Sequence, residues 1–169
     1  MIYTKSKINL GSLRITKPKI PKRASESYHP LKHSLLIDEI TQQSKLLGYT
    51  HGEWVVYATD SRQEMTGGLL LYGSDELDPY GGVRSVGVVN SNNGTTATRM
   101  YGGIHLVQEG VDIPFEDMNL GRHEKELIND LGGRVKWGLV QLFIALPKWG
   151  KVIERLTKKT LTYSQVNHY

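Results

Sequence analysis

Six histidines and seventeen side-chain carboxylates are the groups with which this chain could do acid–base or metal chemistry. Cysteine is absent, which excludes disulfides and thiolate metal sites. His29 and His33 flank an expected helix start and His51 lies further on, with no acidic residue at a ligand spacing from any of them. A zinc site would have to be assembled by tertiary contact alone. His123 with Glu124 and Asp112 can be drawn as acid–base machinery, but no nucleophile or metal set accompanies them. Asp75, Glu76 and Asp78 lack the twelve-residue calcium loop that ends in glutamate. No glycine-rich phosphate loop carries the Lys and Ser/Thr of nucleotide triphosphate chemistry. The expectation is a non-catalytic chain with no metal and no cofactor.

Charge offers a second chemistry, the binding of a polyanion. Residues 1–34 sum to +7, residues 35–130 to −9 and residues 131–169 to +6. Two basic ends around an acidic middle can bind nucleic acid, pair with the middle in the same chain, or meet the acidic face of another copy. Arg84, Arg99, Lys148, Lys151, Arg155 and Lys158 are the candidate phosphate contacts, Asn90 and Asn92 belong to the same polar hairpin, and Tyr101 is the nearest aromatic group for stacking on a base. The last four cations form a stripe beside Trp149, Val152, Ile153 and Leu156, which recur at i, i+3, i+4 and i+7.

The elements that must position these groups follow from pattern. Residues 84–106 predict a β-hairpin: Val86 and Val88 share a face, Asn93-Gly94 suits a type I′ turn, and Gly102-Gly103 marks a bulge or close contact. Residues 34–47 predict a helix with Ser34 as cap, a stripe of Leu36, Ile37, Ile40 and Leu47, and Gly48 as terminator. Strands are expected at 53–59 and 67–72. The stretch GSDELDPYGG reads as a solvated acidic loop, and 110–121 as an acidic patch around Pro114. Residues 1–23 read as an extended basic arm with a short strand at 8–15. A helix start is expected at Arg122-His123-Glu124, a break at Gly132-Gly133, an apolar helix over 137–146, and a last helix that begins at Pro147. The fold class is then α+β: an antiparallel sheet of about four to five strands packed with N-terminal and C-terminal helices. The organisation is a basic arm (1–27), a core (28–131) and a basic helical segment (132–169).

The run VVNSNNGTTATRMYGGIHL resembles the core of an uncharacterised phage- and plasmid-associated family. Tyr28-His29-Pro30, His33 leading into SLLIDEI, WVVYAT, GGLLLYG and Arg122-His123-Glu124 extend the resemblance across 28–131. Where members of that family often carry a Cys-Asn-Gly element, this chain reads Gln108-Glu109-Gly110. The order of elements is also similar to phage single-strand-annealing proteins, in which a curved sheet and a helix form a basic groove and copies assemble into rings or filaments. That resemblance implies non-catalytic binding of single-stranded nucleic acid, by an oligomeric recombination or replication accessory protein. The rival readings are a factor that binds a host or phage protein, as in anti-defence, and a metal-dependent nuclease built on His123. No apolar run is long enough for a membrane span and no signal-peptide core opens the chain, so a cytoplasmic location is expected.

Overall fold

A computed structural model describes residues 5–18, 20–22, 26–73, 82–93, 96–106 and 111–158, with the backbone alone at 82, 106, 111–113, 115 and 145–158. The acidic loop and the Asn93-Gly94 turn centre fall largely outside the described residues. The chain forms an antiparallel sheet with helices on one face. In order the elements are β1 (Lys5–Ile8), α1 (Leu10–Arg14), α2 (His33–Leu46), β2 (Thr50–His51), β3 (Val55–Thr59), β4 (Glu64–Tyr72), β5 (Gly82–Ser91), β6 (Thr98–Leu106), β7 (Val111–Gly121), α3 (Lys125–Asn129) and α4 (Leu131–Lys158). The sheet runs β1-β3-β4-β5-β6-β7, with β2 pairing the far end of β4.

The expected α+β class and the β5–β6 hairpin are present, with Val86 and Val88 buried. Alternation sends Val56, Ala58, Met65, Leu69, Leu71 and Met100 to the same inward face, where Leu36, Ile37 and Ile40 of α2 and Val135, Leu139 and Leu142 of α4 cover them. Gly102-Gly103 does mark a register shift against β7.

Several expectations are corrected. Among the described residues the sheet has seven strands rather than four or five. One of the added strands is β7: its acidic, proline-bearing sequence hides a strand at the sheet edge, where proline and charge are tolerated. In the N-terminal segment, the strand expected over 8–15 stops at Ile8. The Asn9 side chain there accepts the Gly11 N–H at 2.7 Å and caps a short helix. The α2 helix starts at His33 behind Lys32, without a side-chain cap, whereas its end at Gly48 (φ +86°) is as expected. The helix expected to break at Gly132-Gly133 and restart at Pro147 is one helix of 28 residues. Gly132 serves packing: a Cβ there would lie 2.8 Å from Glu39 Oε1 of α2. Pro147 stands inside the helix and leaves the Phe143 carbonyl without its intrahelical donor. Leu13 from the arm and Leu142 from the last segment bury in one cluster with the centre of the chain, so the core crosses both expected boundaries.

Gly102 is the closest helix–sheet approach, since a Cβ there would lie 2.8 Å from Leu142 Cβ, whereas one at Gly68 on the opposite face would meet nothing within 4 Å. Gly102→Ala is therefore expected to lower unfolding free energy by about 1–3 kcal/mol. Gly68→Ala should leave it unchanged or raise it by up to about 1 kcal/mol. Urea denaturation of the two variants checks this, and equal midpoints would contradict it.

Candidate functional site

Two regions collect the polar and apolar groups that the sequence singled out: a buried histidine–asparagine network at one end of the sheet, and the open outward face of the sheet itself.

The network follows from β5 alternation. Counting by two from Val86 and Val88 reaches Asn90, so Asn90 enters the core, and its 0% exposure agrees. Its amide nitrogen donates to the Leu31 carbonyl at 2.9 Å and to His33 Nδ1 at 2.8 Å. Its oxygen accepts from the Thr98 hydroxyl and from His123 Nε2, both at 2.8 Å. His33 Nε2 donates to the Arg62 carbonyl at 3.0 Å. His123 Nδ1 faces the Leu31 N–H at 3.4 Å and the Tyr28 hydroxyl at 3.3 Å. The one proton of that hydroxyl goes to the Asn92 carbonyl at 2.9 Å, which leaves the Leu31 N–H as the donor to Nδ1, and the Tyr28 ring stacks on His123.

A carbonyl can only accept, so these contacts fix the protonation pattern. The Leu31 carbonyl orients the Asn90 amide, which makes His33 Nδ1 an acceptor and His123 Nε2 a donor, and the Arg62 carbonyl requires His33 Nε2–H. Both imidazoles are neutral with their proton on Nε2. Burial pushes each pKa down, to about 4. The neighbouring His123 and Lys5 lower that of His33 further, and its bond to the Arg62 carbonyl opposes the shift.

His33 and His123 are 3% and 4% exposed, so neither ring is open to a substrate. Asn90 and Asn92 (1% exposed) turn inward rather than toward a bound strand. No group of three or more His, Asp or Glu suited to a metal ion occurs among the described residues. His29 bonds the Ser27 carbonyl through Nδ1, and His51 pairs in β2 at a distance along the sequence from His33.

The outward face is different in kind. Across β3 to β7 a groove of about 600 Å³ is walled by Val55, Leu70, Val89, Tyr101 and Pro114 and floored by Gly68 and Gly87, which are cross-strand partners. Glu53 is in the lining and no Lys or Arg is. Of the remaining candidate contacts, Arg99 pairs with Asp117 at 2.8 Å. Arg84 turns inward to the Tyr49 hydroxyl, with its guanidinium over the Tyr49 and Phe143 rings at 5.5 and 5.4 Å. Lys148, Lys151, Arg155 and Lys158 are in the second half of α4, where only the backbone is described. Lys7 sits opposite Tyr57, whose outward side chain is exposed, while α4 packs on α2, β6 and β7 across the inward face. Arg14 of the basic arm lies on the helix side instead, paired with Asp38 of α2.

No helix among the described residues is long and apolar enough to cross a membrane. Compared with protein-family models, curated proteins and solved structures, the chain finds no match.

Each histidine has a folded pKa below its unfolded value of 6.5, so the unfolded chain binds protons first as pH falls. Stability is expected to be complete above about pH 6.5. It should fall between there and pH 4 by up to about 1.4 kcal/mol per pH unit for each ring. Asn90→Ala removes the oxygen that Thr98 and His123 share and the donor to the Leu31 carbonyl and His33, and should cost about 2 kcal/mol or more at pH 7. Denaturant midpoints across pH check both, and a flat wild-type profile from pH 6.5 to 4 would contradict them.

Proposed function

We propose that this chain is a non-catalytic binding protein that takes its ligand on the open face of its sheet, in a cytoplasmic setting. The observation that carries this reading is the groove: one face of the sheet is covered by helices, while the other keeps an apolar, glycine-floored hollow of ligand size. The histidines that acid–base or nuclease chemistry would use are closed off and fully engaged in holding elements together. The groove chemistry favours a partner that brings apolar groups and little negative charge, because a phosphate strand would find no cation in the lining. A protein segment fits that description, in line with the interaction factor suggested by the phage- and plasmid-associated resemblance.

Single-stranded nucleic acid remains as a second reading on one observation. Lys7 is the cross-strand partner of Tyr57, and Arg99 stands two residues from Tyr101 on the same face of β6, so cations and stacking rings alternate at the groove margins.

Nile red, a neutral apolar dye, separates these readings. The folded chain should bind it saturably with a blue-shifted emission, and Leu70→Asp should abolish the signal with the circular dichroism melt unchanged. No binding by the wild-type chain would contradict the proposal. Displacement of the dye by a twenty-nucleotide single strand at low salt would favour the nucleic-acid reading, and no displacement would reject it at this face.

A further inference from the structure

Resting on the reading of the open sheet face as the binding surface, we propose that its occupant is the C-terminal half of α4 from a second copy of this chain, laid across Gly68 and Gly87 as an amphipathic helix. The sheet already shows how it takes a helix. On the inward face α4 settles onto Gly102, where Leu142 fills the space a side chain would need. On the outward face nothing lies within 4 Å of where a Cβ of Gly68 would stand, and one on its partner Gly87 would touch Tyr101 of the groove wall at 3.5 Å and the Gly67 carbonyl at 3.8 Å. From Val55 on β3 to Pro114 on β7 is four strand spacings, about 19 Å. A helix with its side chains is about 10–12 Å across, so the hollow takes one helix and not two.

Reach and charge point to α4 as that helix. Phe143 lies at Arg84, and beyond Arg84 only Val83 and Gly82 of β5 remain, about 7 Å of strand. Residues 144–158 continue α4 for about 22 Å, more than the strand that remains ahead of Phe143. Because α4 lies across the inward face, it cannot fold back onto the outward face of its own sheet, and the groove it enters belongs to another molecule. By sequence, Trp149, Val152, Ile153 and Leu156 share one helical face beside Lys151 and Arg155. Residues 131–169 sum to +6, against a groove whose wall holds Glu53 and no cation. Donor helix and acceptor groove are different surfaces, so the contact is heterologous and repeats from copy to copy as a ring or a filament.

The test uses a fluorescein-labelled peptide of residues 145–160 titrated into the full chain, together with light scattering of the full chain over a concentration series. Saturable peptide binding, at least tenfold weaker on Gly68→Trp, is expected, as is concentration-dependent assembly. The double variant Trp149→Asp, Leu156→Asp should stay monomeric while still binding Nile red. A chain that binds Nile red but not the peptide, and stays monomeric throughout, overturns the proposed occupant and leaves the groove standing. Failure of both dye and peptide removes the groove as well, and displacement of the peptide by a single-stranded oligonucleotide hands the site to nucleic acid.

Discussion

Two backbone carbonyls, those of Leu31 and Arg62, set the direction of the hydrogen bonds at the closed end of this fold. Each can only accept. From that constraint follow the orientation of the Asn90 amide, the Nε2–H form of both imidazoles, and the neutrality of the whole network. The groups belong to segments far apart in sequence: the stretch before α2, the β3–β4 turn, the end of β5, the start of β6 and the approach to α3. Arg62 holds a left-handed backbone (φ +53°), a conformation that costs a non-glycine residue some strain. Its carbonyl reaches His33 and its guanidinium reaches the Ser12 carbonyl near the end of α1. A buried polar cluster of this kind rigidifies when every member has a partner and is costly when one does not. It therefore acts as a joint between those segments, and the open face of the sheet is another surface.

That other surface follows from how the sheet is covered. The helices sit on one face, and Gly102 lets α4 come close enough for Leu142 to touch the strand backbone. The outward face keeps its glycines bare and its apolar side chains half-exposed, among them Val55 and Tyr57 on β3. Among the described residues the groove lining holds no Lys or Arg. Arg99 is held by Asp117, Arg84 is turned into the core side, and Arg14 of α1 pairs with Asp38 of α2 at 3.0 Å.

Much of this was legible in the sequence where period and turn chemistry agreed. The β5–β6 hairpin, the strand carrying Leu69 and Leu71, and the α2 stripe ended by Gly48 are local patterns, and tertiary context reinforced them. Other elements were hidden because a local cue pointed the wrong way. Glycines 132 and 133 look like a hinge, yet they lie within a continuous helix, where Gly132 permits close contact with Glu39 of α2 and Gly133 faces the Asp130 side chain. Proline and acids in β7 look like a loop, yet they suit a strand at a sheet edge. Asn90 looks like a surface turn residue, although its parity with Val86 and Val88 already placed it inside. The partners of Asn90 could not be read at all, since His33 is 57 residues away and His123 is 33. The groove was equally invisible, because it is made by five strands side by side and none of them contains it.

Nitrogen-15 NMR of the imidazole rings at pH 7 tests the network most directly, because it reports charge and tautomer of each histidine separately. The account predicts that His33 and His123 are both neutral, with the proton on Nε2, and that neither begins to titrate until well below pH 6. A protonated ring at neutral pH, or a proton on Nδ1 of either residue, would contradict it.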